Sequence, residues 1–277
     1  MKAALIQLNC SDDPADNLVV TTRLVSEAAE AGADFVLTPE VTNCVSTSRE
    51  RQKEVLHPET TDPTLRALRI VAAESGIWLL IGSLALKTDD ADGRFANRSF
   101  LISPDGQIVA RYDKIHMFDV EVSKTETYRE SAGYRPGTQS VMARTPIGQI
   151  GMTICYDIRF PHLYRDLAGH GAEILTVPSA FSPVTGAAHW ETLLRARAIE
   201  TGSYVLAPAQ TGLHNAASGT PRETHGHSLA VGPWGDILAD GGTDPGVLYV
   251  DLDLSEVTKA RQRIPSLYAA TEFDGPE

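Results

Sequence analysis

Gly32-Ala33-Asp34-Phe35-Val36-Leu37-Thr38-Pro39 returns in the second half of the chain as Gly171-Ala172-Glu173-Ile174-Leu175-Thr176-Val177-Pro178. In both copies a glycine and an acidic residue lead into a short apolar run that stops at proline, the pattern of a strand buried on both faces. Upstream of the first copy, Asp13 and Pro14 set an N-cap and a first helical position. Leu18, Val25, Ala28 and Ala29 share one helical face, and Gly32 stands where a helix end favours glycine. Downstream, Thr61-Asp62-Pro63 opens a second helix that closes at Gly76, and Ile77-Trp78-Leu79-Leu80-Ile81 follows as a continuous apolar strand. Each copy then precedes a turn of the form Pro-x-Gly-x-Ile, Pro104 to Ile108 in one half and Pro233 to Ile237 in the other. A third such turn, Pro146 to Ile150, shows that turn chemistry also recurs for local reasons, so the shared order carries the inference. Two similar α/β halves are expected, each a mixed sheet covered by helices on one face, and the two bare faces must pack together. The predicted fold is therefore α/β, a four-layer α-β-β-α sandwich forming a single domain over residues 1–277, with a tail from about residue 265.

Of the 277 residues, 42% are hydrophobic and 22% charged, which excludes disordered and fibrous classes. Lys and Arg number 24 against 36 Asp and Glu, a net charge of −12 that repels phosphate backbones and anionic lipid. No nucleic-acid or membrane partner is expected. No apolar stretch approaches the ~18 residues of a spanning helix, and the opening Met1 to Leu8 reads as a first strand rather than a leader. Three cysteines, Cys10, Cys44 and Cys155, show no framework spacing, so a reducing, cytoplasmic setting is expected.

Cys155 is delivered by a strand, Gly148 to Ile154, whose Ile150, Met152 and Ile154 fall on one face, and a helix is expected to begin near Pro161. A cysteine on a tight strand-to-helix turn exposes its sulfur and leaves the N–H of Tyr156 free for an oxyanion. The bland alternative is a small buried hydrophobe. Glu40 follows the first repeated strand, and a carboxylate there is costly to desolvate unless it is paired or acts as a base. Otherwise it caps a helix or sits in a solvated loop. Lys114 ends another strand; alone it would be a surface charge, but a thiolate beside a carboxylate needs a fixed cation.

The blocks Leu37-Thr38-Pro39-Glu40, Tyr112-Asp113-Lys114-Ile115-His116 and Ile154-Cys155-Tyr156-Asp157-Ile158-Arg159-Phe160-Pro161 resemble those of the nitrilase superfamily of carbon–nitrogen hydrolases. The resemblance runs from Met1 to about Tyr268. It implies the α-β-β-α sandwich, a Glu40, Lys114 and Cys155 triad working through a thioester, no cofactor, and a homodimer or higher homo-oligomer. It also implies a second glutamate at Glu130, with Glu126 near enough in sequence to compete. Pro178-Ser179-Ala180-Phe181, Thr185 to Glu191 and Leu194 to Glu200 resemble the Nit branch, whose members are amidases of α-keto dicarboxylate amides. The blocks Ala209 to Gly212 and His225 to Ser228 are closer to members acting on deaminated glutathione than to omega-amidases acting on α-ketoglutaramate. Ala187 departs from the proline expected there and leaves that division open.

Arg159, four residues past the cysteine, could pair with a substrate carboxylate, or with Asp157 instead. By resemblance Phe181 and Thr185 complete that pocket. Two other chemistries compete: a Cys/His pair using His162 or His189, and a metal held by His225 and His227, which lacks a third ligand at suitable spacing. Neither is expected, nor is a non-catalytic binding module, because a buried charged cluster is costly to keep without a task.

Overall fold

The computed structural model describes residues 1–122, 127–269 and 274–275. The first half runs β1 (Lys2–Gln7), α1 (Pro14–Glu30), β2 (Phe35–Leu37), α2 (Arg49–Val55), α3 (Pro63–Ser75), β3 (Trp78–Leu86), β4 (Ala96–Ile102) and β5 (Ile108–Asp113). A small hairpin, β6 (Asp119–Glu121) and β7 (Thr127–Arg129), links it to the second half. That half comprises β8 (Val141–Thr145), β9 (Gly148–Met152), α4 (Pro161–Gly169), β10 (Ile174–Thr176), α5 (Pro183–Thr201) and β11 (Tyr204–Ala207). A second hairpin, β12 (Thr211–His214) and β13 (Arg222–His225), precedes β14 (Leu229–Val231), β15 (Ile237–Asp240), β16 (Gly246–Asp251) and α6 (Ser255–Arg263).

The caps form as their residue types require. Asp13 accepts the N–H groups of Ala15 and Asp16, and Asp62 accepts that of Leu65, each cap being worth about 1 kcal/mol. Gly76 ends α3 in the left-handed conformation that glycine adopts without strain.

One sheet has the order β16-β1-β2-β3-β4-β5 and the other β15-β14-β11-β10-β9-β8. In each, three central strands are parallel and a hairpin adds two antiparallel strands: β4 and β5 in the first sheet, β14 and β15 in the second. The repeated sequence units are β2 and β10, in equivalent central positions, and their Pro-x-Gly turns join equivalent hairpins. The third turn joins β8 to β9, a position with no counterpart. Neither small hairpin was legible beforehand, because both are short and half polar.

Alternation along β1 sends Ala4 and Ile6 into a cluster with Leu24, Val25, Leu65 and Leu68 of α1 and α3. Ala3 and Leu5 join Phe35, Leu37, Ile150, Met152 and Ile174, which fill the space between the sheets. Leu163, Leu167, Trp190 and Leu194 of α4 and α5 cover the far side. The chain is a four-layer α-β-β-α sandwich, and each fully buried Leu or Phe contributes about 1.5–3 kcal/mol to holding the layers. Past residue 265, Arg165 donates to the carbonyls of Ser266 and Leu267; residues 270–273 and 276–277 of the expected tail lie outside the described residues. Among the described residues no helix is long and apolar enough to cross a membrane.

Candidate active site

Glu40 follows β2, Lys114 follows β5, and Cys155 stands three residues past β9, so the three arrive at the carboxyl ends of strands from two different sheets. Lys114 Nζ donates to Glu40 Oε1 at 2.9 Å and to Glu130 at 2.9 and 2.8 Å. Asn97 Nδ2 donates to the same two glutamates, at 2.8 Å to Glu40 and 3.3 Å to Glu130. The N–H of Ala180 holds Glu40 Oε2 at 2.8 Å, and that of Phe118 holds Glu130 Oε2 at 2.6 Å. The Cys155 thiol lies beside Glu40, and each shifts the ionisation of the other.

Cys155 has φ of +48°, a left-handed conformation that is strained for a residue with a side chain. It opens a 3-10 turn, Cys155–Arg159, that precedes α4, and its N–H donates to Pro178 at 3.0 Å. Tyr156 N–H is among the amides that a helix start leaves without an internal acceptor. The sulfur is less open than its place on the turn suggests, with Cys155 only 7% exposed. It lines a cleft together with the rings of Phe118 and Tyr156, which meet edge to face with centroids 5.1 Å apart.

Burial opposes charge throughout this cluster, and the partners decide where it ends. Burial pushes the Glu40 carboxyl up, but the Lys114 charge and hydrogen bond, with help from Arg222, outweigh it and hold Glu40 below its ordinary value. Burial also opposes the Lys114 charge, and Glu130 and Glu40 override it, raising that group well above the usual lysine. The Cys155 thiol is raised, first by burial and then by the Glu40 charge, with Lys114 offsetting only part. The resting arrangement is a neutral thiol against a carboxylate and an ammonium.

The cleft has a volume of about 310 Å³. Glu40, Lys114, Glu130, Cys155, Tyr156, Phe181 and Thr185 all line it, whereas Glu126 lies outside the described residues. Arg159 is not among the lining residues. Its guanidinium lies 5.4 Å from the Phe181 ring centre and contacts His189 Nδ1 at 3.3 Å, and it does not pair with Asp157. In a 3-10 turn residues three apart eclipse, so position 159 swings away from the side that position 155 faces. The segment Val45 to Thr47 also lines the cleft, backed by Thr220, whose carbonyl accepts from Thr47 Oγ1 at 2.8 Å. His162 packs edge-on to Phe160, and His225 stacks on His227; neither lines the cleft.

A carbon–nitrogen hydrolase family model matches residues 2–262. The chain belongs to that family. The hydrolase is 39% identical over 267 residues to the deaminated glutathione amidase of Synechocystis, covering 96% of each protein. It is 37% identical to the deaminated glutathione amidase of Yersinia enterocolitica, over 95% of this chain and 91% of that one. Among solved structures, the C. elegans NitFhit protein superposes with a TM-score of 0.89 at 35% identity, over 97% of this chain. The hydrolase spans 64% of that protein's length.

Asn97, Asp157, Arg49 and Arg222 of the hydrolase were not foreseen as site residues. Asn97 could have been flagged as an amide inside an otherwise β-forming strand. Asp157 was read only as a partner for Arg159. It instead accepts the Tyr112 hydroxyl at 2.6 Å, the Ile154 N–H at 2.9 Å, the His116 N–H at 3.0 Å and contacts His116 Nδ1 at 2.7 Å. These contacts tie the segment carrying Lys114 to the turn carrying Cys155. Arg49 and Arg222 lie in loop-proximal segments with no periodic signal, and only the fold brings them to the cleft.

Proposed function

We propose that this hydrolase cleaves the amide of an α-keto dicarboxylate, deaminated glutathione, through a thioester on Cys155. The observation that carries the reading is one buried ammonium, Lys114, shared by two glutamates, one of which also lies beside the thiol and acts on its ionisation. The substrate follows the name carried by relatives aligned over nearly the whole chain.

Glu40 takes the Cys155 proton as the sulfur attacks the amide carbonyl, which suits a thiol that is not ionised at rest. Lys114 and the Tyr156 N–H hold the oxyanion. As the intermediate collapses the carbon–nitrogen bond breaks, and Glu40 returns its proton to the departing amine. Glu40 then deprotonates a water that attacks the thioester, the carbon–sulfur bond breaks, and the proton restores the thiol. Glu130 anchors Lys114 and, with Asn97, keeps the ammonium aimed at the reacting oxygen. Phe181 and Thr185 border the substrate.

The test is turnover of deaminated glutathione and of α-ketoglutaramate by the native enzyme and by Cys155→Ala, with products identified by mass spectrometry. Cleavage of the peptide amide by the native enzyme alone is expected. Preference for α-ketoglutaramate would make it an omega-amidase, and turnover by the alanine variant would rule out the thioester. The three free thiols suit a reducing cytoplasm. A homodimer is the expected assembly, consistent with the apolar groove of Ile199, Trp234 and Ile264, and sedimentation would test it.

A further inference from the structure

We propose that the cleft recognises an amide bearing a carboxylate on each side of the scissile bond, with Arg222 holding the acyl-side carboxylate and Arg49 that of the departing amine. The inference rests on the amidase reading above and specifies what the cleft measures in its substrate.

Three arginines line the cleft: Arg49, Arg129 and Arg222. Arg129 is committed elsewhere, to Glu121 at 2.8 Å and to the carbonyls of Val120 and Tyr128. The cleft's own carboxylates, Glu40 and Glu130, are taken up by Lys114. Arg49 and Arg222 therefore face the cleft with no carboxylate at ion-pair distance among the described residues. Guanidinium groups in a partly desolvated wall suit planar bidentate anions, and a substrate carboxylate supplies one.

Both cations sit in built seats. Arg49 lies 5.1 Å over the Tyr134 ring and donates to Gln52 at 2.7 Å. An added Cβ at Gly133 would fall 1.8 Å from Arg49 Cζ, so only glycine leaves room for the group where it lies. Arg222 donates to the Ala180 carbonyl and lies 5.8 Å from the Tyr128 ring centre, and its buried Nε has no partner.

Their places differ. Arg222 bonds the residue whose N–H holds Glu40, which sets it beside the reacting centre, whereas Arg49 lies on the wall formed by Tyr134, Gln52 and Gly133. In deaminated glutathione the keto-acid carboxylate is fewer bonds from the scissile carbonyl than the glycyl carboxylate. The cation tied to Ala180, whose charge acts on Glu40, thus meets the acyl end, and the one over Tyr134 the leaving dipeptide. α-Ketoglutaramate, which loses ammonia, has nothing to offer Arg49.

Calorimetric binding to Cys155→Ala, which cannot turn over, separates the two contacts. The probes are deaminated glutathione, its C-terminal carboxamide and its keto-acid methyl ester, tested also with Arg49→Gln or Arg222→Gln added. Each neutralised probe should bind the Cys155→Ala protein about ten- to a hundredfold more weakly than the parent. Arg49→Gln should abolish the carboxamide penalty alone, and Arg222→Gln the methyl-ester penalty alone, with Arg49→Lys and Arg222→Lys keeping part of each. Penalties that persist or exchange in the variants, or no binding of the parent probe, would overturn the assignment. Persistent penalties together with native turnover of deaminated glutathione would leave the amidase reading standing while removing this one. Thermal melts check that each variant is folded before its binding is compared.

Discussion

Lys114 Nζ lies 2.9 Å from Glu40 Oε1, and both groups are buried at the junction of two sheets. Each holds the other in its charged form, Glu40 below its ordinary value and Lys114 well above its own. A depressed carboxylate stabilises the fold above its unfolded pKa, and this is lost as pH falls through the lower folded value. A raised lysine stabilises below its unfolded pKa, and this is lost as pH rises through the higher folded value. Activity should hold level through neutral pH and fall on the acid side only below the ordinary carboxylate range, about pH 4. A pH profile of kcat/KM with an acid limb near neutrality would contradict the pairing.

Lys114→Ala removes the ammonium that bridges two glutamates and leaves a buried and a partly buried carboxylate opposed. Breaking a buried pair in this way costs about 3–5 kcal/mol, and loss of an oxyanion donor costs on the order of a hundredfold in turnover. The variant should melt at a higher temperature as pH is lowered toward the carboxylate range, because protonation relieves the repulsion. A melt that falls with acid, or near-native turnover, would mean that Lys114 is not shared between these groups.

Asp157→Asn keeps the size of a side chain that collects four contacts but replaces one acceptor oxygen with a donor. Opposing a backbone N–H or a hydroxyl with an amide N–H costs about 1–3 kcal/mol. Because Asp157 links the Lys114 segment to the Cys155 turn, kcat should drop more than KM rises. Unchanged kcat with lowered stability would assign Asp157 to packing alone.

Gly82→Ala tests how closely the halves approach behind Glu40. An added Cβ would fall 1.8 Å from the Thr38 carbonyl oxygen and 2.5 Å from Pro178 Cβ, so either the strand ends part or Glu40 moves. The variant should be unfolded, or folded with activity reduced at least tenfold; full activity in a native-like melt would show that the junction yields.

Much of this was readable in the residues. The two copies at Phe35 and Ile174 carry their own turns and caps, so local chemistry and global topology agree, and the sandwich followed from them. That Glu40, Lys114 and Cys155 would come together was legible because each follows a strand at a position where a charge or thiol is otherwise misplaced. Arg159 packs against Phe181 without itself lining the cleft, since its direction depends on a 3-10 turn whose tighter winding no spacing reveals. Asn97 and Asp157 are hidden for a similar reason: their partners are far away in sequence, and only long-range pairing brings the donors to them.

Glu40 and Lys114 follow strands of the first sheet and Cys155 a strand of the second, so the proposed reaction needs both halves. Chemistry here is a report on closure. Separation of the layers by a few ångströms would leave every strand intact yet strand the thiol away from the carboxylate that must accept its proton. On the proposed mechanism the enzyme should fall silent before it unravels, and a newly made chain should gain its activity only once its second half has docked.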